Sequence, residues 1–260
     1  MKTEKSKITS GVRLDGDKFV FDKSKNLPSD IVDLVSPQIY QSNFGKYTYW
    51  FGYKFNDLAS SKDRSEFIHA IKGLSNKNIS DDELTEFIDE PIFELDRFVN
   101  TYDISAIIYP LSGRSKLVSK MIHELSRFTS HDTRRLSFEL VKSVPTDIEF
   151  DWDSFEADTM YDRNKYEQMK EYVETKLIPA IHSLDYFSIA QNVKPKYRKY
   201  IKNYLSMSDS DTKKLSSLKG GTILIVDDIN TSGATLEEIL RKVRKINSYC
   251  EIFIYTLIGR

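Results

Sequence analysis

Residues 222–235 read T-I-L-I-V-D-D-I-N-T-S-G-A-T, and the reading of the whole chain turns on them. The run 222–226 is short, apolar and β-branched, which predicts a buried strand. Gly220 and Gly221 stand just before it and mark the end of a less regular stretch. Beyond the loop, Leu236, Ile239, Leu240, Val243 and Ile246 fall at helical spacing. Glu237 and Glu238 occupy the first turn of that helix and Arg241, Lys242, Arg244 and Lys245 its later turns, which complements the helix dipole. Residues 251–257 predict a last strand, and strand, loop, helix, strand is a parallel α/β unit.

In an open parallel sheet, ligands gather beyond the carboxyl ends of the strands, and Asp227 and Asp228 stand at such an end, where they are expected to face solvent. Adjacent carboxylates can accept hydrogen bonds from vicinal hydroxyls. Thr231, Ser232 and Thr235 add hydroxyls around Gly233, where the backbone can approach a ligand closely. The first N–H groups of the following helix favour a phosphate at the same place. Acid pair first and phosphate loop second is the order that a sugar phosphate requires.

Upstream, β-branched and aromatic clusters at 18–21 and 47–55 predict strands, separated by turn-like residues such as 25–29. Phe67, Ile68, Ile71 and Leu74 trace a helix after Ser60 and Ser61, and Ser80 with Glu83 forms a capping box for a second. Pro91 is expected to break or restart that second helix. A buried strand at 104–109 leads into P-L-S-G-R, after which Ser115 caps a helix carrying Leu117, Val118, Met121, Ile122 and Leu125. A strand is expected at 136–141. Between Pro145 and Lys219 periodicity weakens, and an acidic run from Asp147 to Asp158 precedes a helix with Tyr166, Met169, Tyr172 and Val173. This stretch reads as an insertion or lid.

The 260 residues suffice for a substantial core. With 38 Lys plus Arg against 39 Asp plus Glu, bulk charge attracts neither nucleic acid nor membrane. A single cysteine, Cys250, excludes an intrachain disulfide and a multi-cysteine zinc cluster and fits a reducing compartment. No signal peptide or membrane span is recognisable, so the cytoplasm is the expected location.

The segment V-D-D-I-N-T-S-G-A-T resembles the acid-acid-x-x-T-T-G-x-T pattern of type I phosphoribosyltransferases, which hold 5-phosphoribosyl 1-pyrophosphate with it. The resemblance implies an α/β fold with a twisted, mainly parallel sheet flanked by helices. It gives an N-terminal α+β subdomain at 1–100 and a core at 101–260, with a helical insertion or hood at about 145–219. Asp227 and Asp228 would be the catalytic pair contacting the ribose hydroxyls, and Thr231, Ser232, Gly233, Ala234 and Thr235 would hold the 5-phosphate. Leu111, Ser112, Gly113 and Arg114 would form the pyrophosphate loop, with Arg114 suited to a bidentate grip. Lys196 and Arg198, in a basic stretch with Lys194, Lys199 and Lys202, would belong to the hood. Mg²⁺ would arrive through the substrate, without a dedicated protein cage.

Among subfamilies, the chain is most similar to the competence-protein-F-like group, through F-I-H-A-I-K-G, P-L-S, Gln191, the phosphate loop and the terminal Y-T-L-I-G-R. That group's usual N-terminal cysteine zinc cluster and R-G-F-N-Q sequence are absent, and the acidic insertion is extra. The implied reaction is transfer of the phosphoribosyl group to a nitrogen nucleophile with release of pyrophosphate, in nucleotide metabolism. The acceptor is not specified by the sequence. The competing reading is a non-catalytic regulator, or one subunit of a multiprotein system of competence or defence type. A homo-oligomer or a protein partner is compatible with either.

Two other readings fail. As a P-loop ATPase the chain lacks the partner motif, since S-N-F-G-K-Y-T around Lys46 has no first glycine and puts Tyr47 after the lysine. His69, His123, His131 and His182 are too scattered to define a metal site. Tyr49, Trp50, Phe51 and Tyr53 read as a strand core or partner surface rather than a base-stacking platform, and the basic stretch alone does not make a nucleic-acid surface.

Overall fold

The computed structural model describes residues 11–15, 18–22, 32–34, 38–55, 60–73, 79–111, 117–128, 136–230 and 233–259. Strands β1 (Gly11–Asp15) and β2 (Lys18–Asp22) form an antiparallel pair. They are followed by β3 (Val32–Leu34), β4 (Gln38–Ser42), β5 (Gly45–Phe55) and helices α1 (Ser61–Ile71) and α2 (Asp81–Thr101). Next come β6 (Ile104–Pro110), α3 (Leu117–Phe128) and β7 (Leu136–Lys142). Short elements then alternate: β8 (Glu149–Phe150), α4 (Trp152–Thr159), α5 (Arg163–Tyr172), α6 (Ile178–His182) and α7 (Ile189–Asn192). After β9 (Ile201–Lys202), β10 (Leu205–Ser206) and α8 (Asp209–Ser217), the chain runs through β11 (Thr222–Ile229), α9 (Ala234–Ile246) and β12 (Glu251–Gly259).

Contacts divide the chain into two compact units: Met1–Phe138 with Lys219–Thr231 and Tyr249–Arg260, and Glu139–Leu218 with Ser232–Ser248. In the first, β6, β11, β12 and β5 lie side by side, and all three pairings are parallel. β3 and β4 add to β5 antiparallel. Residues from before 100 and after 101 thus share one sheet. The apolar run of β11 from Ile223 to Val226 is fully buried, as a central parallel strand covered on both faces must be. Phe67 of α1, Ile88, Ile92 and Leu95 of α2, and Leu117 and Met121 of α3 pack with Leu224, Val226, Phe253 and Leu257 of the sheet. The expected mainly parallel sheet with helices packed on it is present.

Both helices ahead of β6 start on reciprocal capping boxes, Ser60 with Asp63 and the expected Ser80 with Glu83. Pro91 does not break α2, contrary to expectation; the helix runs through it. A proline at 91 leaves the Phe87 carbonyl without its helical donor. The Tyr53 hydroxyl supplies one at 2.9 Å. Gly52 makes room for the ring on the sheet side, since a Cβ there would come within 2.8 Å of Pro91 Cβ. Leu74, Ser115 and the turn at 25–29 lie outside the described residues.

In the second unit β7 pairs antiparallel with β10, and β8 with β9. The helix expected around Tyr166 is α5, which continues through a π-turn at Val173–Leu177 into α6. Phe150, Trp152, Phe155, Tyr166 and Tyr200 make an aromatic cluster beneath these short elements. The acidic run and the basic stretch are partners here: Asp151 pairs with Lys202 and Asp158 with Lys199.

Candidate functional site

The strand that carries the acid pair is longer than its apolar run predicts. β11 continues to Ile229, so Asp227 and Asp228 are its closing residues. They are 5% and 6% exposed, which corrects the expectation of a solvent-facing pair. Side chains alternate across a strand, so the two carboxylates leave it on opposite faces. Each turns back on the next backbone amide: Asp228 N–H donates to Asp227 Oδ1 at 2.9 Å and Ile229 N–H to Asp228 Oδ1 at 2.7 Å.

Asp228 meets Lys72, the residue that caps the C-terminus of α1. The ammonium lies 2.9 Å from Oδ1 and 2.8 Å from Oδ2. Gly73, at φ +66°, ends the helix just beyond it. Burial would lower the Lys72 pKa, but the charge and hydrogen bond of Asp228, with the charge of Asp227, outweigh it and hold the amine above its ordinary value. An acid end with a lysine bound across one carboxylate is poised to exchange partners with a polar ligand.

On the other face, Asp227 is in register with Thr256 of β12. The Thr256 hydroxyl lies 2.7 Å from the Tyr49 hydroxyl and donates to the Ile258 carbonyl at 3.1 Å. Tyr49 also hydrogen-bonds with the side chain of Asn230. Burial pushes the Tyr49 hydroxyl up to about 12; the bonds to Thr256 and Asn230 pull the other way, and the Asp227 charge adds to the rise. Asn230 N–H donates to the Ile258 carbonyl at 2.9 Å, which fixes the backbone where the strand gives way to the loop.

The phosphate-loop residues divide. Thr231 and Ser232 lie outside the described residues. Gly233 opens α9 at φ 74°, a left-handed conformation that glycine adopts freely, and Ala234 is buried in the first turn. Thr235 is half-buried. Leu111 follows β6 and packs against the core, whereas Ser112, Gly113 and Arg114 are outside the described residues.

The two hood candidates make local contacts in the second unit. Arg198 donates from Nε to the Val193 carbonyl at 2.9 Å and from Nη2 to the Ala190 carbonyl at 2.8 Å, so it fastens the end of α7. Lys196 lies over the Tyr197 ring, 4.8 Å from its centroid. Glu238, in the first turn of α9, is 3% exposed and gripped by the fork of Arg241.

Residues 193–260 match the family model of the phosphoribosyl transferase domain. That stretch contains the acid pair, the loop, α9 and β12. No curated protein matches the chain. Among solved structures it is similar to a purine phosphoribosyltransferase from Pyrococcus horikoshii Ot3, at 15% identity over 67% of this chain and 84% of that one, with a TM-score of 0.34. A hypoxanthine phosphoribosyltransferase from Staphylococcus aureus is similar at 12% identity, over 68% of this chain and 74% of that one, with a TM-score of 0.35.

Lys72, Tyr49 and Thr256 carry no sequence signal for the roles the geometry gives them. Lys72 does fall in F-I-H-A-I-K-G, but nothing in that stretch says that it meets a residue 156 positions away. Strand register sets Tyr49 opposite Ile254, and its side chain reaches Thr256 two residues on.

Proposed function

We propose that the protein binds 5-phosphoribosyl 1-pyrophosphate and transfers its phosphoribosyl group to a nitrogen nucleophile, releasing pyrophosphate. The observation that carries this reading is the buried acid pair at the carboxyl end of a central parallel strand, followed at once by a loop that opens a helix on a left-handed glycine. The match of the phosphoribosyl transferase domain to the same stretch supports it. Asp227 and Asp228 accept the ribose hydroxyls; Thr231, Ser232, Gly233, Ala234 and Thr235 hold the 5-phosphate. Leu111, Ser112, Gly113 and Arg114 receive the pyrophosphate.

Displacement at the anomeric carbon passes through a cation-like state, so the residues chiefly position the sugar and stabilise the departing charge. The donor set fits a Mg²⁺ ion that enters with the substrate. Lys72 already puts a positive charge on Asp228, which disfavours a second cation caged directly on that carboxylate. When bound, the ion supplies charge neutralisation on the leaving pyrophosphate.

The same lysine favours one rival. With both oxygens of Asp228 on Lys72, the site also suits a regulator that binds a phosphoribosyl ligand without turning it over. Calorimetric titration of 5-phosphoribosyl 1-pyrophosphate with Mg²⁺, then a pyrophosphate-release assay across a panel of nucleobases, separates the two. Binding with release establishes the transferase, binding without release the regulator, and absence of binding refutes both.

A further inference from the structure

A third polar side chain is buried at the acid end. Asn230 is 7% exposed, and its Oδ1 has no hydrogen-bond partner among the described residues. The surrounding chain of hydrogen bonds sets which end of the amide that is. Thr256 has one hydroxyl hydrogen, and it goes to the Ile258 carbonyl. Tyr49 must therefore donate to Thr256 at 2.7 Å, and its oxygen is left to accept from Asn230. The amide nitrogen faces Tyr49, and Oδ1 is the end left without a partner among the described residues.

Buried carbonyl oxygens are almost always hydrogen-bonded, so an enclosed acceptor without a donor among the described residues is suited to take one from a ligand. We infer that Asn230 Oδ1 is a ligand-facing acceptor, taking a hydrogen from an N–H or O–H group of the molecule held at Asp227 and Asp228, and that residue 230 thereby selects what binds. The inference rests on the phosphoribosyl reading of the site. Asp227, Asp228 and Asn230 are all acceptors at the carboxyl end of β11, and Lys72 donates to Asp228. That set suits a ligand rich in hydrogen-bond donors, and a site built around a buried acceptor strongly rejects an analogue that lacks the donor. Two sources can supply the hydrogen: a hydroxyl of the sugar, or an N–H of the acceptor base.

The test compares the full chain with Asn230→Leu, which has similar bulk and no acceptor. 5-Phosphoribosyl 1-pyrophosphate is titrated calorimetrically into each; adenine, guanine, hypoxanthine and uracil are then titrated into protein saturated with ribose 5-phosphate, and Tm is read by scanning calorimetry. A Kd for the phosphoribosyl donor raised at least about tenfold, with Tm not lowered, supports the inference and names the sugar as the source. An unchanged donor affinity with a tenfold weaker base supports it and names the base. Unchanged affinities for both overturn it, and if Tm also falls, Oδ1 serves the fold through a bond within the chain. Should the wild type bind no phosphoribosyl donor, the parent reading fails and takes this one with it, a pattern distinct from selective loss in the variant. If the leucine variant does not fold, the smaller Asn230→Ala, which also lacks an acceptor, carries the same comparison.

Discussion

Among the described residues, Asp228 and Glu238 are carboxylates buried against basic partners, one in each compact unit, and they are satisfied to different degrees. Glu238 has both oxygens in the guanidinium fork of Arg241, at 2.8 to 3.0 Å. Arg241 in turn reaches Asn203 at 2.8 Å, and Lys242 stands 3.7 Å from the same carboxylate. Burial pushes the Glu238 pKa up while Arg241 and Lys242 pull it down, and burial prevails. Asp228 instead shares one flexible lysine and lies two residues from an amide oxygen with no partner among the described residues. A saturated network specifies a fold, whereas a network left open at the carboxyl end of a parallel strand leaves work for a ligand.

Removing Glu238 should give the largest effect. Glu238→Ala strands Arg241 in a buried setting and should cost about 3–5 kcal/mol, read from the urea midpoint. A loss below about 1 kcal/mol would mean that this network is no more essential to the fold than a surface pair. At the open end the effect should fall on the ligand. Asp227→Asn with Asp228→Asn removes two charged acceptors and should weaken phosphoribosyl-pyrophosphate binding by at least about a hundredfold in a calorimetric titration. Retained affinity in the folded double variant would refute the site. Because the pair is buried, this variant also strips Lys72 of its counter-ion, so Asp227→Asn alone gives the cleaner comparison.

Lys72→Met separates the two roles of that ion pair. It leaves the Asp228 carboxylate buried without its cation, and a cost of about 2 kcal/mol in unfolding free energy is expected, less than for Glu238 because Lys72 is partly exposed. If its place on Asp228 only balances charge, affinity for the phosphoribosyl donor should fall along with stability. If Lys72 competes with the ligand, affinity should rise while stability falls, and the opposing signs decide between them.

What was legible in the sequence follows from the range of the physics involved. The strand at β11, the helix α9 and the capping box at Ser80 are written in local periodicity and spacing, and all are present. The continuity of α2 through Pro91 is not local, because it depends on the Tyr53 hydroxyl, 34 positions ahead of the Phe87 carbonyl it reaches. Burial of Asp227, Asp228 and Glu238 was likewise hidden. A carboxylate beside an apolar run reads as a strand end, and only the partners brought by the fold make its burial tolerable. The pairing of the basic stretch was hidden for the complementary reason: Lys199 and Lys202 are answered by the acidic run 41 to 51 positions earlier.

Tyr49 gives the smallest effect and the closest view of the open end. Its hydroxyl ordinarily titrates at 10.0 and burial pushes it up to about 12, so the folded chain holds this proton where the unfolded chain has released it. Its contribution to stability is therefore whole below pH 10, declines as pH rises and is gone above about 12. Lys72, raised by Asp228, acts in the same direction from 10.5 upward. Tyr49→Phe keeps the ring, forfeits the bond to Thr256 and should cost about 1 kcal/mol at neutral pH. With urea midpoints at pH 8 and pH 11.5, the wild type should lose more stability than the variant, and the gap between them should narrow. A gap of constant width would mean that the Tyr49 proton is held no more tightly in the fold than out of it. The chain from Asn230 to Ile258 would then lack the fixed direction that leaves Oδ1 to the ligand, and the two ends of the comparison would differ less than their geometry suggests.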